Sequence, residues 1–127
     1  MGQFYTPRNN RSNVGFCLTE NGKKTLEARL SELEPDADKT TYVHELLDSR
    51  RKREDQESGA VAWLWEHLKW YWDFEDVSFF ESLMNDLGHD DYYFIRVGED
   101  DDDTDVRGGF WENPFGMSLL RGITFDA

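Results

Sequence analysis

Basic residues are scarce in this chain. Its 127 residues hold 14 Lys and Arg against 27 Asp and Glu, a formal net charge of −13. Phosphate contacts supply most non-specific affinity for nucleic acid and require a basic patch. The deficit therefore excludes direct nucleic-acid binding as the simplest mode, disfavours anionic membrane, and steers the chain toward basic partners. The only compact basic run, Arg50-Arg51-Lys52-Arg53, is followed at once by Glu54, Asp55 and Glu57. It reads as the solvated face of a helix. Cys17 is the single cysteine, so no internal disulfide can form, and a reducing, cytoplasmic setting fits. No run approaches the roughly 20 apolar residues of a membrane helix, and the N-terminus has no apolar signal core. Met1-Gly2-Gln3-Phe4-Tyr5-Thr6 matches the short myristoylation pattern, which matters only in a eukaryotic cell.

Catalytic signatures are missing too. There is no Gly-x-Ser-x-Gly, no phosphate-binding glycine loop and no paired-cysteine motif. His44, His67 and His89 are the only histidines. None is spaced with another or with Cys17 as a local zinc motif, and they read as surface or packing residues. Acids are so abundant that a catalytic pair could be drawn anywhere. The expectation is a binding protein, not an enzyme, with no cofactor.

Large rings are what the chain does have: aromatics make up 15% of it. Phe and Trp bury enough area each to build one compact domain at this length. Residues 1–13 read as a loose arm or short edge strand, and Val14 to Leu18 as a strand. Thr19 or Asn21 caps a helix whose stripe is Leu26, Leu30 and Leu33, ended by Pro35. A second helix is predicted from about Thr41 to Arg53, with Val43, Leu46, Leu47 and Arg50 on its inner side. Residues 60–74 are ambiguous in period, but their aromatic content favours a strand for at least the later part. That reading puts Trp70 and Trp72 on the core side and leaves Trp63 or Trp65 more exposed. Asp76 to Leu87 is the clearest helix. Asp76 is a candidate N-cap, Ser78 with Glu81 an alternative capping box, and Gly88 the C-terminal glycine. Val77, Phe80, Met84 and Leu87 form its buried face. Strands follow at Tyr92 to Val97, Val106 to Trp111 and 117–125 as a meander. The expected fold class is α+β, a mainly antiparallel sheet with helices packed on one face.

Met1-Gly2-Gln3-Phe4-Tyr5, Lys69-Trp70-Tyr71, the helix Phe79 to Leu87 and the turn Gly98-Glu99-Asp100 occur in an order that resembles small acidic proteins of phages and mobile elements. The resemblance implies a phage-like source and an α+β layout, with the middle helices longer than usual. It carries over no catalytic residue.

Asp101, Asp103 and Asp105 have the spacing of a Ca²⁺ loop, with Glu112 at the bidentate position. Val106, however, stands where that loop needs glycine, and the flanks read as strands. The segment reads as a solvated hairpin tip, with weak Ca²⁺ binding as an alternative.

The acid surface suits capture of a basic groove. Carboxylates on successive helix turns lie about 5–6 Å apart at Cβ, near the spacing of backbone phosphates. The expected partner is a nucleic-acid-binding host protein or complex, met through Asp73, Glu75, Asp76, Asp90, Asp91, Glu99, Asp100, Asp101, Asp102, Asp103 and Asp105. Trp72 or Tyr92 would be the aromatic anchors. This reading is a phage-type inhibitor, anti-CRISPR or anti-restriction. Alternatives are an immunity protein that neutralises a basic toxin, or a halophilic domain whose acids hold hydration.

Overall fold

The computed structural model describes residues 11–49, 51–71, 74–99, 103–119 and 123–125. At its centre is β1, Ser12–Leu18. Val14 to Leu18 carries no polar side chain and is buried throughout, the pattern of a strand covered on both faces. Thr19 ends it and starts α1, Glu20–Ser31, as its hydroxyl accepts from the Gly22 amide at 3.1 Å. Leu26 is buried, and Leu30 and Leu33 pack beside it, so the predicted stripe is the inner face.

The second helix, α2, is Asp38–Leu47 and not 41–53. The Thr40 hydroxyl, donating to the Glu34 carbonyl, secures its start. Its last carbonyls are taken by indoles: Trp65 Nε1 donates to Leu46 O at 2.8 Å and Trp63 Nε1 to Leu47 O at 2.9 Å. This satisfies acceptors that a helix end leaves orphaned. The basic run is thus not a helix face. Arg51 lies in a turn and Arg53 in the short strand β2, Arg53–Glu54, while Arg50 lies outside the described residues.

β3 is Val61–Leu68, the early part of the aromatic stretch and not the later. Trp63 and Trp65 are its most protected rings, 2% and 5% exposed, which reverses the facing predicted for them, while Trp70 packs on the core as expected. The cause is a bulge. Val14 pairs with Trp65, but Ser12 pairs with Leu68, so β3 holds one extra residue there. His67 takes it up at φ +56°. One inserted residue changes the phase of every side chain after it. Leu68 and Trp70 therefore join Trp63 and Trp65 on the helix side, while Leu64 faces the other way. Trp72 lies outside the described residues.

α3 is Glu75–Asp86. Phe80, Met84 and Leu87 pack on the sheet as expected, with Val77, Phe79 and Leu83 also buried. Its N-cap is Phe74, not Asp76, and no side chain caps it. The Ser78–Glu81 box does not form either, because Ser78 bonds the Glu75 carbonyl and Glu81 turns to Arg107. Gly88 has φ −65° and opens a 3-10 turn, His89–Asp91, so it makes no left-handed cap.

β4, Tyr92–Val97, and β5, Thr104–Gly108, complete an antiparallel sheet in the order β2-β3-β1-β4-β5. β5 ends earlier than the predicted Val106–Trp111, at Gly108 with φ +85°. The α+β layout holds: the three helices cover one face, over Phe16, Trp63, Trp65 and Phe94. Residues 117–125 do not extend this sheet. They form a separate antiparallel hairpin, β6 (Ser118–Leu119) with β7 (Ile123–Thr124). Met117 and Ile123, with Phe115, cover Cys17, Ala62, Leu64 and Ile95 on the second face. A Cβ on Gly15 would lie 2.9 Å from both Ile123 and Met117, so glycine in the central strand lets this cover settle.

Candidate protein-interaction surface

The acids singled out by sequence fall into three regions. The first is the β4–β5 hairpin, closed by a bond from Gly98 N to Asp103 O at 2.7 Å. Asp103 accepts from Arg96 at 2.7 Å and Asp105 from Arg107 at 3.2 Å. The Arg96 hydrogen bond, ahead of a small opposing burial cost, holds the Asp103 carboxyl below its usual range. Glu99 is exposed and accepts from the Arg11 backbone amide at 3.0 Å. Asp100, Asp101 and Asp102 lie outside the described residues. Among the described residues no group of three or more His, Cys, Asp or Glu is placed to hold a metal ion. Asp103 and Asp105 each face an arginine, and this arrangement does not favour a Ca²⁺ loop.

The second region is the start of α3. Exposed Glu75 and half-buried Asp76 border an open cleft of about 450 Å³ with Tyr42 and Phe74, which are 45% and 37% exposed. Asp73 lies outside the described residues.

The third region is the 3-10 turn between α3 and β4. Asp91 is structural: its carboxylate accepts from the Thr19 hydroxyl at 2.9 Å and its carbonyl from the Thr19 amide at 3.0 Å, which ties the start of α1 to the turn. Asp90 projects into solvent, with only His89 beside it among the described residues, at 3.3 Å. Tyr92 is half-buried against the helix-side core. His44, His67 and His89 are all exposed.

Trp111, which sequence reasoning placed at the end of a strand, adjoins this third region. It is 66% exposed, the most exposed of the large hydrophobic side chains among the described residues. It stands edge-on to the His89 ring at 6.2 Å. Its loop is held from within by Asn113, which is 8% exposed. The Asn113 amide donates to the carbonyls of Phe110, Trp111 and Met117, and its oxygen accepts from the amides of Phe115 and Met117. Exposed Glu112 follows Trp111. Beside it runs a cleft of about 330 Å³ whose walls include Glu20, Asn21, Ser58, Asp91 and Phe110. The signal in the sequence was Gly108-Gly109, which ends the strand before Trp111, and Asn113 two residues beyond.

Several arginines are engaged within the molecule: Arg29 with Asp86, Arg51 with Glu66, Arg96 with Asp103 and Arg107 with Glu81. Glu20, Glu75 and Glu112 have no such partner among the described residues. The excess of 13 acids remains uncompensated by any such pairing, and part of it flanks an exposed tryptophan. No helix among the described residues is long and apolar enough to cross a membrane. Comparison with known proteins finds no family model, no curated relative and no solved structure that matches the chain.

Proposed function

We propose that this chain is a phage-type acidic inhibitor, anti-CRISPR or anti-restriction, that occupies a basic nucleic-acid-binding surface of a host defence complex in the cytoplasm. The observation that carries the reading is Trp111, projecting from a loop organised by Asn113 with Asp90 and Glu112 nearby. Interface hot spots favour tryptophan, and an ordered loop loses little entropy on docking. Unpaired acids around it supply long-range attraction to a basic groove and speed encounter. The excess of acids over bases, 27 against 14, supports the same reading, because it persists after every ion pair is formed. The contact set is narrower than composition suggested. Asp90, Glu112 and Trp111 are its centre, Glu75 lies apart at the far end of α3, and Asp91, Asp103 and Asp105 serve the fold.

The test is phage plating on hosts that carry defined restriction or CRISPR systems, with and without this chain expressed. The expected result is restored plating on at least one host, followed by competition between the chain and DNA for that purified effector. Unchanged plating throughout such a panel, with no competition for DNA by any purified member, would sink the reading.

A further inference from the structure

We propose that two copies of this chain join edge to edge through β5, continuing the antiparallel sheet across a two-fold axis at Val106. The inference is independent of the inhibitor reading. Among the described residues β5 is one of the two edges of the five-stranded sheet, and the other, β2, has only two residues. The bond from Gly98 N to Asp103 O sets the hydrogen-bond phase. Continued through the pairs Arg96–Asp105 and Phe94–Arg107, it turns the backbone of residues 103, 105 and 107 toward β4. Alternate residues then present their amide and carbonyl groups outward: Thr104, Val106 and Gly108. Such a row is a template for another strand.

The side chains on this edge complement a second copy in the antiparallel sense. With Val106 opposite its own counterpart, Asp105 falls opposite Arg107 and Arg107 opposite Asp105. Both ion pairs form by symmetry, as an isologous contact requires. Asp105 and Arg107 already share the helix-side face, where the guanidinium lies 4.8 Å over the Phe94 ring. On the other face Val106, 47% exposed, meets its copy. Antiparallel pairing places the two acidic hairpin tips at opposite ends of the joined edge, so the largest local repulsion is avoided. A five-residue strand pair is small beside the roughly 1,000 Å² of a stable interface, so the dimer is weak, with a dissociation constant of micromolar or above.

Sedimentation equilibrium in physiological salt, from about 10 µM to about 1 mM, brackets that affinity range. The expected result is a mass that doubles across the series, with slowed amide exchange at Thr104, Val106 and Gly108 at the high end. Val106→Pro removes the outward N–H and is tolerated at a free edge. Val106→Lys sets like charges opposite each other. Each should weaken association by about tenfold or more while circular dichroism and thermal midpoint stay near wild type. A chain that stays monomeric throughout overturns the proposal, and so does a dimer that folded forms of both variants leave unweakened. If only an added extended peptide protects those amides, the edge serves another chain and the self-association reading fails.

Discussion

Arg107 on β5 grips Glu81 on α3 with both terminal nitrogens, Nη1 to Oε1 at 2.7 Å and Nη2 to Oε2 at 2.9 Å. Trp70 Nε1 donates to the same carboxylate at 2.9 Å. One side chain thereby joins α3, the segment after β3 and the edge strand. Burial works against the charge on Glu81, but the hydrogen bonds from Arg107 and Trp70 outweigh it and hold the carboxyl below its ordinary value. The same hydrogen bond, ahead of a burial cost, raises the Arg107 pKa. Charge-assisted bidentate pairs of this kind are the strong ones, and removing one partner strands the other.

Glu81→Gln should therefore cost about 1–3 kcal/mol of stability at neutral pH in urea titrations. The sign of the pH effect follows from the depressed pKa. Its contribution is complete above the ordinary carboxyl value of 4.5 and disappears as pH falls through the lower folded value. The variant should lose part of the acid-side decline in stability, and Asp103, depressed by Arg96, should retain another part. An acid limb identical to wild type would show that Glu81 does not titrate as its surroundings imply.

At residue 67 the sequence and the backbone disagree. His67 sits at φ +56° in the β3 bulge, with its amide bonded to Asn13 Oδ1 and its carbonyl to Arg11 Nη1. A left-handed conformation costs a residue other than glycine about 1–2 kcal/mol. His67→Gly should stabilise the protein by about 0.5–1 kcal/mol after its larger unfolded-state entropy is discounted. His67→Val should destabilise it. Equal midpoints for the two variants in thermal melts would mean that the bulge does not hold this geometry in solution.

What could be read from sequence was whatever kept an unbroken period. α3 and β4 were legible because Val77, Phe80, Met84 and Leu87 recur at helical spacing and Tyr92 to Val97 holds only strand formers apart from Arg96. The core side of Trp70 was legible too, but the burial of Trp63 and Trp65 was not, because an inserted residue leaves no mark on composition yet puts Trp70 on the same face as both. The hairpin at 117–125 was hidden for a different reason. Leu119 pairs with Ile123, so Met117, Leu119, Ile123 and Phe125 share a face whether the segment runs straight or folds back. The acidic surface was legible as a total but not residue by residue. Which acids are compensated depends on contacts distant in sequence, such as Arg107 with Glu81.

Trp111 should dominate the solvent-accessible fluorescence. Trp63 and Trp65 are at most 5% exposed, against 66% for Trp111. Trp111→Phe should lower the acrylamide quenching slope and shift the remaining emission to shorter wavelength, with the fold intact. A slope unchanged by the substitution would place Trp111 inside the protein or a self-associated form.

The sharpest functional prediction contrasts two groups of acids on one defence effector, the one whose activity the chain blocks in the plating assay. Trp111→Ala should weaken binding to that purified effector by about 2 kcal/mol or more, the scale of a hot-spot residue, mostly through faster dissociation. Asp90→Asn with Glu112→Gln should instead slow association and flatten its dependence on salt, with little change in stability, since among the described residues neither acid has a cationic partner other than His89 beside Asp90. Asp103→Asn with Asp105→Asn should act the other way. It removes the carboxylate partner of Arg96 and the second partner of Arg107, which keeps Glu81, so its main effect falls on the β4–β5 hairpin and its thermal midpoint, not on the association rate. Stopped-flow mixing at low and physiological ionic strength separates these outcomes. Should the hairpin pair slow association more than the Asp90–Glu112 pair does, the contact lies on the hairpin tip and Trp111 is not its anchor.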